Sequence, residues 1–235
     1  MSNLYLHHST TTLLRLIALF LAGLWLCSGC RSTKSESEKV EPAEIVPEKI
    51  KEWKELYEEW EEDDPIPDFQ LIDHEGKGFS LGDHDRKYLL FGFVFTRCQV
   101  PKACPLTMKK MKEVQKLWET KKESGLTGDS QLQLFGITLD PEFDTPDILK
   151  GYLRAHGGNK DTWSMATGPE ELVATALPSL FNIMALPDGK GSINHSVKVA
   201  LLSPGRVFLK DWKDNEFAPE DVVQVILEQS KTTAK

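Results

Sequence analysis

Two short apolar runs constrain this chain more than any other feature. KYLLFGFVFT at 87–96 and QLQLFGITL at 131–139 have the length of strands, and their near-continuous hydrophobicity fits strands buried on both faces. Between them, Pro105 to Lys122 places Leu106, Met108, Met111, Val114, Leu117 and Trp118 on the apolar stripe of an amphipathic helix. A sheet with helices packed on it follows from that alternation.

The flanking segments extend the pattern. PDFQLIDHEGKGFSLGD reads as two short strands around a Glu75-Gly76 turn. DTPDILKGYLRAHG reads as a helix with Asp144 or Thr145 as N-cap, Pro146 at the first helical position and Gly157 near its end. GPEELVATALPSLF predicts a further helix, broken at Pro178; HSVKVALLSPGRVFLKDW predicts a hairpin around Pro204-Gly205; PEDVVQVILEQ closes the domain as a helix. Strand, helix, strand, helix, hairpin, helix is the order of a thioredoxin-like domain. The expected fold is α/β, three-layered, with a central mixed sheet and an N-terminal β-hairpin extension. It occupies residues 65–230, and a polar tail follows at 231–235.

The N-terminus sets the compartment. Residues 1–29 have a polar start, Arg15, and an apolar run from Leu16 to Cys27, too short to span a bilayer comfortably but suited to a signal sequence. The run ends in Leu26-Cys27-Ser28-Gly29-Cys30, which resembles a bacterial lipoprotein signal and makes Cys30 the expected lipidation site. A transmembrane anchor and an ordinary cleaved signal are the other readings of the same run. The expected location is the extracytoplasmic face of a bacterial cell envelope, with the membrane held through the lipid. Residues 30–64 read as a tether with a short acidic helix, in which Ile50, Trp53, Leu56, Tyr57 and Trp60 recur at helical spacing. A net charge of −8 with no basic run argues against a nucleic-acid partner.

Of four cysteines, Cys27 leaves with the signal and Cys30 takes the lipid, so Cys98 and Cys104 remain as thiols in an oxidising compartment. They bracket a proline-containing loop in FTRCQVPKACP, between the first buried strand and the helix after it. Cys104-Pro105 falls at the helix start, where unpaired N–H groups and the helix dipole favour a thiolate. Spacing leaves a structural disulfide, a redox couple and a shared metal all open, because disulfide Cα atoms need only approach to roughly 4.4–6.8 Å. His195 narrows the field. It sits in SINHSVKVALL at the start of a later strand, where thioredoxin-like reductases generally place a cis-proline; here no proline stands between Pro187 and Pro204. Two thiolates and an imidazole make a soft three-coordinate set suited to copper, with Cu(I) favoured by sulfur. Met108 and Met111 are further soft donors, but their helical spacing assigns them to the core; His74, His84 and His156 read as solvated turn or helix-end residues.

PDFQLIDHEGKGFSL, YLLFGFVFTRC with ACP, GITLDPEFDTPDILKGYL, ATGPEEL and NHSVKVALLSPGRV together resemble the Sco/SenC family of thioredoxin-like, copper-binding proteins of cytochrome c oxidase assembly. The resemblance implies that Cys98, Cys104 and His195 are copper ligands, for Cu(I) and also Cu(II), and that Asp140, in Asp140-Pro141, acts behind them or structurally. It further implies a copper-accepting oxidase subunit or other copper protein as partner, and a metallochaperone rather than an enzyme. Two departures stand out: the cysteines are spaced C-x5-C where the family has C-x3-C, and Asn194 precedes the histidine where Asp is usual. The alternative is a thiol–disulfide oxidoreductase with Cys98 and Cys104 as its catalytic pair, keeping partner cysteines reduced. A third reading is a redox or copper sensor that uses the helix at 48–62 as its output surface.

Overall fold

The structure, a computed structural model, describes residues 64–233, which lie in the second of two compact units, Val40–Lys235. The expected signal, Cys30, the tether and its acidic helix lie outside the described residues. Among the described residues, no helix is long and apolar enough to cross a membrane.

Nine strands are formed among these residues: β1 (Gln70–Asp73), β2 (Gly78–Ser80), β3 (Tyr88–Val94), β4 (Leu132–Thr138), β5 (Trp163–Thr167), β6 (Ala185–Pro187), β7 (Ile193–His195), β8 (Lys198–Leu202) and β9 (Phe208–Lys213). The helices are α1 (Cys104–Glu123), α2 (Pro146–Ala155), α3 (Leu177–Leu180) and α4 (Pro219–Thr233). Seven strands make one mixed sheet in the order β2-β1-β5-β4-β3-β8-β9, while β6 and β7 pair separately. β3, β4 and β5 run parallel, and β8 lies antiparallel against β3. The β1–β2 hairpin, joined to β5, is the predicted N-terminal extension. This is the thioredoxin-like α/β arrangement expected from the element order.

Every residue of β3 and β4 is buried, as a central strand covered on both faces requires. One face of β3 carries Phe91 and Phe93, whose rings pack on Phe181, with Phe91 also stacked on Phe135. Gly92 faces the other way, under α1: a Cβ there would stand 2.6 Å from Met111 Sδ. α1 packs in turn along α4. Met108 and Met111 are fully buried core residues, as their spacing indicates.

Several local expectations change. GPEEL-VATALPSLF is not one α-helix: Glu171–Ala176 is π-helical and passes into α3, whose first turn accommodates Pro178 without a break. α4 continues to Thr233, into the stretch expected as a polar tail. His74 is not solvated. It is 3% exposed, and its Nδ1 accepts the Met165 N–H at 3.3 Å. His84 sits edge-on to Phe79 and Phe135, and His156 packs on Tyr152.

Candidate functional site

The topology brings the predicted residues to one end of the sheet. β3 runs out at Val94, and the chain turns through Phe95 to Ala103 before α1 begins at Cys104. Because β8 is antiparallel to β3, with Val199 opposite Gly92, the chain enters β8 at the end where β3 leaves. His195, the last residue of β7, therefore arrives beside the start of α1. Its Nε2 lies 3.3 Å from Cys104 Sγ.

The other ring nitrogen defines the tautomer. His195 Nδ1 is 3.0 Å from the Ser196 carbonyl oxygen, which can only accept, so Nδ1 carries the proton. Nε2 then presents its lone pair to the sulfur. Burial lowers the His195 pKa, against an opposing pull from the Ser196 carbonyl, so the neutral imidazole is the favoured form. The Phe95 ring meets the imidazole edge-on at 5.7 Å.

Cys104 departs from the expectation that a helix start would favour its thiolate. It is fully buried, and burial pushes its thiol far above the ordinary cysteine range. The backbone of Phe95 and its own backbone pull the other way, and the Cys98 sulfur beside it pushes further up. The hydration that the thiolate loses on burial outweighs what the backbone at the helix start gives back. Cys98 is half-buried, and both cysteines are free thiols rather than a disulfide. Pairwise contacts thus link Cys98 to Cys104 and Cys104 to His195. Among the described residues, no three His, Cys, Asp or Glu side chains are already closed around a common point as a metal cage.

The loop is held from below at its Cys98 end. The Thr96 N–H donates to Asp144 at 3.1 Å, the Thr96 hydroxyl donates to the same carboxylate, and the Thr138 hydroxyl adds a bond of 2.6 Å. Arg97 donates to Asp140 Oδ2 from Nε at 2.9 Å and from a terminal nitrogen at 2.6 Å, and lies 4.2 Å over the Phe143 ring. Asp140 therefore stands behind Cys98 through its chain neighbour Arg97. Asp144, read from sequence as a possible helix cap, is instead fully buried under Thr96; Thr145 takes the N-cap position without a side-chain bond. The four-residue interval from Asp140 to Asp144, with Thr138 just ahead of it, was the available signal, but the partners Thr96 and Arg97 come from another segment.

Chemically, this end of the sheet offers two soft sulfur donors, one of them accessible, and a neutral imidazole with its lone pair already aimed at the pair. The family model for SCO1/SenC matches residues 58–231. The chain belongs to the SCO1/SenC family. The SCO1 protein homolog of Bacillus subtilis (strain 168) is 28% identical over 158 residues, covering 66% of this chain and 77% of that protein. Among solved structures, a SCO1/SenC family lipoprotein from Bacillus anthracis str. Ames superposes with a TM-score of 0.62 at 23% identity, covering 72% of this chain and 96% of its own. Arabidopsis thaliana ScoI with copper bound superposes with a TM-score of 0.58 at 20% identity, covering 71% and 98%. The family match spans the sheet and helices that carry Cys98, Cys104 and His195.

Proposed function

We propose that this SCO1/SenC protein is a copper metallochaperone that holds its cargo through Cys98, Cys104 and His195. The observation that carries the reading is the contact between Cys104 Sγ and the unprotonated Nε2 of His195, with the second thiol alongside. Copper is the substrate here. The donor set suits it: two thiolates and one imidazole favour Cu(I), and the same set accommodates Cu(II). The copper-bound state of the Arabidopsis ScoI relative supports the choice of metal.

The protein's own part in binding follows from the protonation states. Both cysteines are free thiols, so each releases a proton on ligation, and Cys104 gives up one that burial holds tightly. The neutral imidazole releases none. Small movement of the half-buried Cys98 closes the donor set, and the same exposure makes it the first ligand an acceptor can displace. Acceptor thiolates or imidazoles then replace the ligands in turn, the expected acceptor being the copper site of a respiratory oxidase. Lipidation at Cys30 would tether the donor at the extracytoplasmic face of a bacterial membrane and raise its concentration near a membrane-bound acceptor; the Bacillus anthracis family relative, a lipoprotein, supports that placement.

A second reading is thiol–disulfide exchange, favoured by the adjacency of two free thiols. Cys98 would then be the attacking sulfur, since Cys104 is buried and held as a thiol.

Titration of the reduced protein with Cu(I) against a competing chelator separates the two. Removing a ligand by His195→Ala or Cys98→Ser should weaken binding by more than the roughly 10- to 100-fold typical of changes behind the ligands. Copper affinity untouched by His195→Ala sinks the chaperone reading. Disulfide exchange that survives His195→Ala and dies with Cys98→Ser supports the oxidoreductase.

A further inference from the structure

The Cys98 end of the loop is fastened by Thr96 and Arg97, but the Cys104 end has no equivalent fastening of its own. Gln99, Val100, Pro101 and Lys102 are all exposed; the loop's backbone bonds are a turn from the Cys98 N–H to the Phe95 carbonyl, 3.2 Å, and one from the Ala103 N–H to the Val100 carbonyl, 3.0 Å. Ala103 is the N-cap of α1 and has no side chain able to cap it. A five-residue interval between the cysteines therefore leaves the backbone just before Cys104 to be fixed from elsewhere.

We propose that Asn215, in the turn between β9 and α4, is the positioning residue that fixes Cys104 against His195 and so sets the site's affinity for soft metal. Its side-chain amide donates to the Lys102 carbonyl at 3.1 Å and to the Ala103 carbonyl at 3.3 Å, the two residues immediately before Cys104. Its amide oxygen accepts from the Thr107 hydroxyl at 3.0 Å. That hydroxyl also lies 3.2 Å from the Ala103 carbonyl, but it has one proton. The Ala103 carbonyl already takes the Thr107 N–H and the Asn215 amide, so the shorter bond to Asn215 takes the proton and locks the amide's orientation.

The turn is built to deliver this amide. Asn215 is 4% exposed and has φ +58°, after Asp214 at φ +52°, a left-handed conformation that asparagine tolerates better than most residues. Lys110, about one turn along α1 from Thr107, donates to the carbonyls of Asn215 and Phe217, each at 2.5 Å. Asn215 thus spans α1 and the β9–α4 turn, clamping the first turn of α1 from outside the loop. With both ends clamped, the additional loop length is confined to the exposed stretch 99–102 and does not displace the sulfur.

The functional consequence rests on the copper reading, whereas the positioning itself is testable without metal. In the reduced, metal-free protein carrying Cys98→Ser, the measurements are the alkylation rate of Cys104 by an uncharged maleimide and the nitrogen resonance of His195 Nε2. Asn215→Gly keeps the left-handed turn and removes the clamp; Thr107→Val removes only the hydroxyl that orients the amide. Loss of such a bond should raise the Cys104 rate about five- to tenfold and shift the Nε2 resonance. Val222→Ala, a buried change in α4, serves as a control for destabilisation alone and should alter neither. Unchanged rate and resonance in both Asn215→Gly and Thr107→Val, or equal changes in Val222→Ala, overturn the proposal. In the protein with both cysteines, Cu(I) affinity should fall by a similar factor. If the unmodified protein binds no Cu(I), the copper reading falls, while the metal-free measurements still decide the role of Asn215.

Discussion

The carboxylate of Asp144 shows how much one misassigned residue carries. Three donors converge on it from Thr96 and Thr138, yet burial outweighs them and raises its pKa, with Asp140 adding to the rise. Its importance is therefore geometric: it ties the backbone two residues before Cys98 to the end of β4. Asp144→Ala strands the Thr96 N–H and two hydroxyls below the loop, an effect of about 1–3 kcal/mol where such groups stay buried. We expect a lower thermal midpoint and faster modification of Cys98, read by calorimetry and thiol labelling. Cys98, Cys104 and His195 were legible because sulfur and imidazole types are scarce in this chain and sit at element boundaries. Asp144, Thr96 and Asn215 were not, because an ordinary Asp, Thr or Asn before a helix has a local reading that competes with any long-range one. The protonation of Cys104 was misjudged for a related reason: helix position is visible in sequence, while the depth of burial is a property of the folded chain.

Among the elements, those with strong periodicity were the legible ones. β3, β4 and α1 have enough consecutive residues for their pattern to outweigh chance, and the β8–β9 hairpin is marked by Pro204-Gly205. β5 was missed because WSMAT is short and half polar, and β6 and β7 because three residues carry no pattern. The π-helical turn before α3 likewise has the composition of an α-helix. Between elements, glycine decides the close approaches: Gly92 on β3 leaves room for Met111 of α1, and its register partner Gly136 on β4 leaves room for Met165 of the neighbouring strand β5. Gly92→Ala puts a methyl carbon 2.6 Å from Met111 Sδ, so the buried methionine must move. A cost of about 1–3 kcal/mol is expected from such overpacking. Denaturant midpoints of Gly92→Ala, Met111→Ala and the double variant test this; the double should lose less than the sum of the singles, because each change makes room for the other.

Over the whole molecule, three histidines favour the same pH range. His84, His156 and His195 all have pKa values lowered chiefly by burial. In the unfolded chain they take protons near pH about 6.5, while in the fold they stay neutral to lower pH. The unfolded state therefore binds more protons below about 6.5, and stability is lost as pH falls through that value. Asp144, with its raised pKa, acts in the opposite sense at lower pH, since protonation favours its buried form. Thermal midpoints should fall from neutral pH toward the mildly acidic range, and His84→Phe, remote from the candidate ligands and set among aromatic rings, should make that fall shallower. An unchanged slope would count against burial of His84 as a cause. The pairing of β8 with β3 has a temporal consequence as well. Cys98 and Cys104 leave the ribosome nearly a hundred residues ahead of His195, and the imidazole reaches the sulfur only once β8 has docked beside β3. A nascent or truncated chain ending before His195 has both thiols and no imidazole for them, so the thiol–imidazole contact reports how far synthesis has run as well as how the chain has folded.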